Sequence, residues 1–498
     1  MNVRKHFLIS FILIIILIQG ILTGPVMSAT TTDKSVIIGF RHPVGPQDDD
    51  IVKSHGALPK KNFHLIPALA ATIPEGKIAE LKNDPNVLYV ENNSIFSIAD
   101  VYSDEYNNSW GVQHIGSQVA HDNGFDGKGV NISVLDTGID YNNIDLKDNY
   151  KGGYNFVNFN ADPWDDNCLS QFKECHGTHV SGIVGAEKNG IGVVGVAPNA
   201  NIYAVKVLNG GGLGDVISIV SGLEWAIDNK MDIVSMSFGS IDDSIAVHTA
   251  IDNAYNAGLL LVAAAGNTFG GSVTYPAGYD SVIAVTATNS SDMNSDFDPI
   301  SPKIELAAPG VNITSTIGST INGGYGVKSG TSMAAPHVAG VAAMIWDKIG
   351  NNKDIRELLH SAKDLGVQGR DSTYGYGLVD ARFVDILKLT RTTGPESNDA
   401  KSISLSQGNY SIYIHDINLS KVDVKVVENG NNVKVSEKTV KVPDNGIIRK
   451  ESSGSSTTYK FNKSKDIQFQ INVDDNSTIV FTPYGGKGTS GYVVIKDI

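Results

Sequence analysis

The spacing of apolar positions changes twice along this chain, and each change marks a module. Between residues 104 and 390, short apolar runs such as Val130–Leu135, Asp232–Met236 and Leu259–Ala265 alternate with stretches of helical spacing. Runs that are apolar at consecutive positions suit strands covered on both faces. Their alternation with helices predicts an α/β domain with a mostly parallel sheet. Beyond residue 402 the period becomes two, as in Val422-Asp423-Val424-Lys425-Val426 and Ile467-Gln468-Phe469-Gln470-Ile471. Every second side chain then faces a core, which predicts a small all-β domain over 402–498. Before residue 104, Val36–Phe40 and Val87–Val90 read as strands and Lys77–Asn83 as a helix, a small α+β unit over 33–99. The segment at 391–401, with Gly394, Pro395, Ser397 and Asn398, reads as a linker.

The first residues read as an address. Arg4, Lys5 and His6 precede the apolar run Phe7–Leu22, and small residues follow at Ser28-Ala29. This is the pattern of a secretory signal peptide over 1–29. The run falls short of the ~20 residues that a membrane-crossing helix needs, so no stable transmembrane anchor is expected. The mature chain is expected to be secreted, extracellular or associated with the cell envelope.

Composition narrows the function classes. Of 498 residues 41% are hydrophobic and 18% charged, which suits a globular protein and excludes disorder as the main state. The formal charge of −14 argues against nucleic acid as a partner, because phosphate binding rests on Lys and Arg. The acidic excess is local: residues 101–390 hold 16 Lys and Arg against 32 Asp and Glu. The near-neutral tail therefore reads as a physically separate unit.

Three blocks carry candidate chemistry. Val134-Leu135-Asp136-Thr137-Gly138 places a carboxylate at the carboxyl end of a strand, where open α/β sheets hold their ligands. His176-Gly177-Thr178-His179 opens a helix with an imidazole, and Gly330-Thr331-Ser332-Met333-Ala334 delivers a hydroxyl to the start of an Ala/Gly-rich helix. A serine attacks a carbonyl well only when a base takes its proton, and the imidazole needs a carboxylate to fix its tautomer. Asp136, His176 and Ser332 supply the three catalytic parts. Taken singly, each motif is equally a turn former, a packed core residue or a helix cap.

With these blocks in the order Asp, His, Ser, the chain resembles the subtilisin-type serine proteases of the subtilase family over residues 33–390. Gly195-Val196-Ala197-Pro198 and Ala263-Ala264-Ala265-Gly266-Asn267 carry the resemblance further. It implies a subtilisin-like three-layer α/β fold and a serine endopeptidase acting on proteins or peptides. Asn267 and the backbone N–H of Ser332 would form the oxyanion hole. Gly212, Leu213 and Gly214 with Ser237, Phe238 and Gly239 would bind substrate as two backbone edges, Phe238 lining the pocket for the residue before the cut. Residues 33–99 would be a propeptide that assists folding and inhibits the enzyme as an intramolecular partner until cut near Ala99. The enzyme would work as a monomer.

The resemblance also implies Ca²⁺ as cofactor, held by Asp145, the Asn189 amide and the carbonyls of Glu187, Ile191 and Val193, an all-oxygen set suited to a hard cation. Asp162, Asp165 and Asp166 form a further acidic cluster, either a second ion site or a solvated loop. Cys168 and Cys175 are expected to form a disulfide in an oxidising compartment, closing a short loop worth ~2–3 kcal/mol in the loop-entropy model. Two free thiols, or a metal site from Cys175, His176 and His179, are the alternatives. The rival function is a catalytically idle subtilase fold used as a binding or envelope protein.

Overall fold

The computed structural model describes residues 33–93, 105–169, 174–390, 399–416, 421–428, 433–435, 449–453, 456–462, 467–473, 477–484 and 490–498. The expected leader at 1–29, the cut near Ala99 and most of the linker at 391–401 lie outside them. The chain divides into two compact units, up to Asp100 and from Val101 onward.

In the first unit, strands Asp33–Phe40, Leu58–Asn62, Ala68–Pro74 and Val87–Asn92 form an antiparallel sheet with helices Pro46–Ser54 and Ile78–Lys82. The two expected strands and the expected helix are present. The strands at 58–62 and 68–74 and the first helix carry no clear period and were not anticipated. Val36, Ile38, Leu69, Ala71 and Ile73 pack into the core of this unit.

The second unit is built on a seven-stranded parallel sheet. Its elements are β1 (Asn131–Asp136), β2 (Tyr150–Asn155), α1 (His176–Gly185), β3 (Asn201–Lys206), α2 (Val216–Asp228), β4 (Ile233–Met236), α3 (Ile245–Asn256), β5 (Leu260–Ala264), β6 (Ile283–Thr288), β7 (Leu306–Pro309), α4 (Thr331–Ile349) and α5 (Asn352–Leu359). The strand order is β7-β6-β5-β4-β1-β3-β2, every neighbouring pair parallel. Along β1, Ile132 and Val134 enter one core with α1 and α4, while Leu135 enters a second with α2 and α3. Both faces of the sheet are covered, which is why the strands are apolar at consecutive positions. The chain leaves β1 toward β2 and leaves its neighbour β4 toward β5, in opposite directions along the sheet, so the carboxyl ends of β1 and β4 border a crevice at the switch point.

The tail is a sandwich of two five-stranded antiparallel sheets. Strand Phe383–Thr390, expected to close the α/β module, is an edge strand of this sandwich and pairs with Ser490–Asp497. The tail is also not physically separate. Phe383, Ile386, Tyr413, Tyr492 and Val494 belong to the same core as α1 and α4. Lys496 is buried, donates to the Ser361 carbonyl at 2.8 Å and lies 3.7 Å from the Asp380 carboxylate. Asp380 also accepts from Arg382 Nε (2.9 Å) and Nη2 (3.0 Å), so Lys496 is the second of two cations on this buried carboxylate. Apolar matching and one buried charge join modules that a step in net charge had suggested were independent.

Asp298 gives the second unit a pH dependence. It is 2% exposed and accepts the N–H groups of Ser295 (2.8 Å) and Ala287 (3.3 Å). Burial, only partly offset by these bonds, raises its pKa to about 7. A carboxyl whose pKa is raised on folding stabilises the protonated fold, and this contribution is lost as pH rises from about 4 through about 7. We expect the unfolding free energy of a Ser332→Ala background to fall across that window by at most about 4 kcal/mol from this group. Asp298→Asn should flatten the slope whatever its own stability; an unchanged slope in urea titrations at stepped pH would refute the assignment.

Candidate active site

Asp136 ends β1 at the crevice and is fully buried. Its Oδ1 accepts the Thr137 N–H at 2.7 Å and His176 Nδ1–H at 2.8 Å. His176 is the first residue of α1, and the helix start reaches the strand because the next residue is glycine: a Cβ on Gly177 would lie 2.3 Å from the Gly138 carbonyl oxygen. Nδ1 facing a carboxylate carries the proton, which leaves Nε2 as the basic nitrogen. Burial pushes the imidazole pKa down, but the charge and hydrogen bond of Asp136 outweigh it, and the net direction is upward.

A second carboxylate lies beneath this pair. Asp165 is fully buried and accepts from Thr137 Oγ1 (2.9 Å), Thr178 N (3.0 Å) and Thr178 Oγ1 (2.6 Å). Asn167 accepts the His176 N–H at 3.0 Å and donates to the Gly210 carbonyl at 2.9 Å. Asp166 pairs with the buried Lys206 at 2.7 Å, and Asp162 accepts from the Tyr141 hydroxyl. The cluster at 162–166 is divided: Asp165 is buried and bonded, Asp166 pairs with Lys206 while partly exposed, and Asp162 is exposed.

Cys168 and Cys175 are bonded to each other, as expected, and the Gly318 N–H points at Cys175 Sγ at 3.1 Å. The alternatives of free thiols and of a metal on Cys175 fall with that bond. His179 Nε2–H donates to the carbonyls of Ile313 and Gly326, and burial lowers its pKa to about 3, so it is a neutral core residue.

Ser332 is the second residue of α4 and half-buried. The helix is entered through Gly330 at φ 153°, a region other residues avoid. Ser332 Oγ donates to the Ser237 carbonyl at 3.0 Å, and Ser237 Oγ donates to the Ser332 carbonyl at 2.9 Å. The serine hydroxyl thus rests on the Ser237 edge and not on His176. Asn267 follows β5, and its Oδ1 accepts both the N–H (3.1 Å) and the hydroxyl (3.0 Å) of Thr331. A main-chain N–H can only donate, so the amide oxygen must face it and Nδ2 is turned away. Thr331 Oγ1 in turn accepts the Gly266 N–H at 3.1 Å. Thr331, Asp165 and Asn167 are site residues that the sequence does not single out as such, because neither a hydroxyl's direction nor a long-range contact is legible from chain neighbours.

Between the Gly212–Gly214 and Phe238–Ser240 edges lies a cavity of about 520 Å³, lined by both. Ser237, Ser332, Asn267 and His176 do not line it. Ser237 is tied instead to Ser332, and Phe238 belongs to a pocket that Ser332 does not line.

The loop after α1 wraps around Asp145, which is fully buried. The carboxylate accepts from Asn189 Nδ2 and Val193 N–H, each at 3.1 Å, and the Asp145 carbonyl accepts the Glu187 N–H at 2.8 Å. Asn189 Oδ1 accepts the Ile191 N–H at 2.9 Å. Glu105, 6% exposed, joins the same loop by accepting the Gly190 N–H at 2.8 Å. Burial raises the pKa of Glu105 and of Asp145, and the nearby Asp145 charge lifts Glu105 further. No cluster of three or more His, Cys, Asp or Glu side chains arranged for a metal occurs among the described residues.

Comparison with known proteins agrees with this geometry. The model of the subtilase family matches residues 127–377. Subtilisin NAT of Bacillus subtilis subsp. natto is 39% identical over 365 residues, 71% of this chain and 91% of that protein. The minor extracellular protease Epr of Bacillus subtilis is 41% identical over 371 residues, 72% of this chain but only 55% of Epr. A thermostable alkaline protease of Halalkalibacterium halodurans is 41% identical over 321 residues, 64% of this chain and 83% of that protein. With a matching family model, close relatives and a seven-stranded parallel sheet carrying the three blocks at one crevice, the chain belongs to the subtilase family of subtilisin-type serine proteases.

Proposed function

We propose that this protein is a secreted serine endopeptidase, made as a self-processing zymogen, that cleaves peptide bonds through Asp136, His176 and Ser332. The observation that carries the reading is the 2.8 Å bond from His176 Nδ1 to Asp136, which leaves Nε2 as the base in the crevice that Ser332 borders. In the first step Ser332 Oγ releases the Ser237 carbonyl, bonds to the substrate carbonyl carbon and gives its proton to His176 Nε2. The carbonyl oxygen becomes an oxyanion, accepted by Asn267 Nδ2 and the Ser332 N–H. His176 then gives the proton to the departing amine as the C–N bond breaks, leaving an acyl ester on Ser332. Water repeats the sequence in reverse, its proton passing to Nε2 and back to Ser332. Asp136 stays ionised throughout and stabilises the imidazolium.

Residues 33–99 are read as the inhibitory propeptide, cut near Ala99 by the enzyme itself, and 1–29 as the leader removed on export. The test follows from that order of events. The purified full chain should lose its propeptide and then hydrolyse casein, while the Ser332→Ala chain stays full length and inert. A folded, unaltered chain that stays full length and inert would instead favour the idle-fold reading.

Calcium suits the loop at 187–193. Two buried carboxylates with raised pKa values are groups that gain from a nearby divalent cation, and the surrounding donors are oxygens. Asp145, Glu105, the Asn189 amide and the carbonyls of Glu187, Ile191 and Val193 would hold it. When bound, the cation supplies cross-linking charge to this loop and takes no part in the bond-breaking steps. Adding millimolar calcium to the Ser332→Ala chain should raise its Tm by several degrees, as expected for a ligand that binds only the folded state. Asp145→Asn should abolish the rise; an equal rise in both chains would place the ion elsewhere.

A further inference from the structure

Resting on the endopeptidase reading, we infer that the cavity between the Gly212–Gly214 and Phe238–Ser240 edges selects a lysine or arginine side chain of the substrate peptide. Its walls are apolar, formed by Leu208, Ile219, Phe238, Val247 and Tyr275. Three carboxylates complete the lining, Asp215, Asp242 and Asp243, all exposed, and no Lys, Arg or His lines it. The combination of a greasy wall and an anionic mouth fits a long aliphatic stem that ends in a cation. A leucine or phenylalanine would cover the walls equally well but bring no positive charge to the carboxylates. An acidic side chain would be repelled.

The local charge balance supports this occupant. Asp215 caps α2, its Oδ1 accepting the Ser218 N–H at 2.8 Å, and its pKa is held down by these bonds to main-chain and side-chain donors of Ser218. Asp243 Oδ1 accepts from the Tyr279 hydroxyl at 2.8 Å. Both carboxylates stay exposed at the cavity while making these bonds. The starts of α2 and α3 border the cavity and oppose a cation, but each contributes only about half a positive charge, against three full negative ones. The surrounding module, with 32 acidic and 16 basic residues over 101–390, extends the same sign of field outward and would steer basic peptides toward the edge.

The position selected is not the one beside the cut, because neither Ser332 nor Asn267 borders the cavity. In an extended peptide alternate side chains share a face, so the preference should appear at a single position some residues before the scissile bond.

Internally quenched peptides that differ only in carrying lysine or norleucine at each successive position before the cut will test this. Norleucine has the lysine stem without the charge. With the matured enzyme at low salt, kcat/KM should favour lysine about fivefold at one position, and the gap should shrink in about 0.5 M NaCl. The triple variant Asp215→Asn, Asp242→Asn, Asp243→Asn should bring the two peptides within about twofold. Asparagine caps a helix as well as aspartate does and still accepts from Tyr279, so the variant removes charge and keeps the local hydrogen bonds. Should it fail to fold, Asp242→Asn alone serves, since that carboxylate holds no hydrogen bond among the described residues, and a partial narrowing of the gap is then expected. Equal or better cleavage of norleucine at every position, or a gap that persists in the charge-free variant, overturns the inference. If the unaltered enzyme cleaves neither peptide faster than Ser332→Ala does, the endopeptidase reading itself has failed.

Discussion

Ser332→Ala is expected to lower kcat for peptide hydrolysis by on the order of 10⁶ while leaving KM within a few fold, the size of loss known for the equivalent change in subtilisin itself. That factor corresponds to about 8 kcal/mol of transition-state stabilisation. In the proposed mechanism the hydroxyl forms the covalent bond, so without it His176 would have no proton to accept and Asp136 no imidazolium to stabilise. Three residues acting as one unit predict that further removal of His176 should cost little more. The fold should survive, because the hydroxyl makes one hydrogen bond among the described residues, to the Ser237 carbonyl, and the Ser237 hydroxyl keeps its bond to the Ser332 carbonyl. Progress curves with a chromogenic peptide, with far-UV circular dichroism as the fold control, decide the matter. A variant retaining a tenth of the activity would show that Ser332 is not the nucleophile.

Asn267→Ala is expected to lower kcat by about 10²–10³ with KM nearly unchanged, again the magnitude found for the matching subtilisin residue. The donor meets an oxygen that carries full charge only in the tetrahedral state, so its loss is felt in kcat. Thr331 makes the effect specific to this fold. Its N–H and its hydroxyl both donate to Asn267 Oδ1, and together they turn Nδ2 outward. Thr331→Val removes one of the two, and should give a smaller loss of about tenfold in kcat with KM held. It also leaves the Gly266 N–H without its acceptor, so Tm should fall as well. Equal kcat in Asn267→Ala and the unaltered enzyme would remove Asn267 from the oxyanion hole; a loss confined to KM would make it a ground-state contact.

Much of this architecture was legible because burial leaves a period. Consecutive apolar positions in β1, β4 and β5 announce strands covered on both faces, and the two-residue alternation after 402 announces an all-β domain. Charge was a weaker guide. The step from an acidic α/β module to a near-neutral tail suggested separate bodies, whereas Tyr413, Tyr492 and Val494 pack into the α/β core and Lys496 is buried beside Asp380. Net charge reports on surfaces, and an interface is made by the few residues that leave the surface. The α/β module is expected to run to 390, and the strand at 383–390 pairs with Ser490–Asp497, because a strand's own pattern does not name its partner.

The family, the three chemical blocks and the parallel sheet at whose edge they stand are written in the residue order, since Asp, His and Ser residues near glycines at strand and helix ends are local features. What holds them in place emerges only on folding. Asp165 beneath Thr137 and Thr178, Thr331 orienting Asn267, Glu105 beside Asp145, and three carboxylates around one apolar cavity each bring together residues far apart in the chain or turn one toward another. Such contacts depend on distance and direction in space, and the order of residues along a chain fixes neither until the fold has closed.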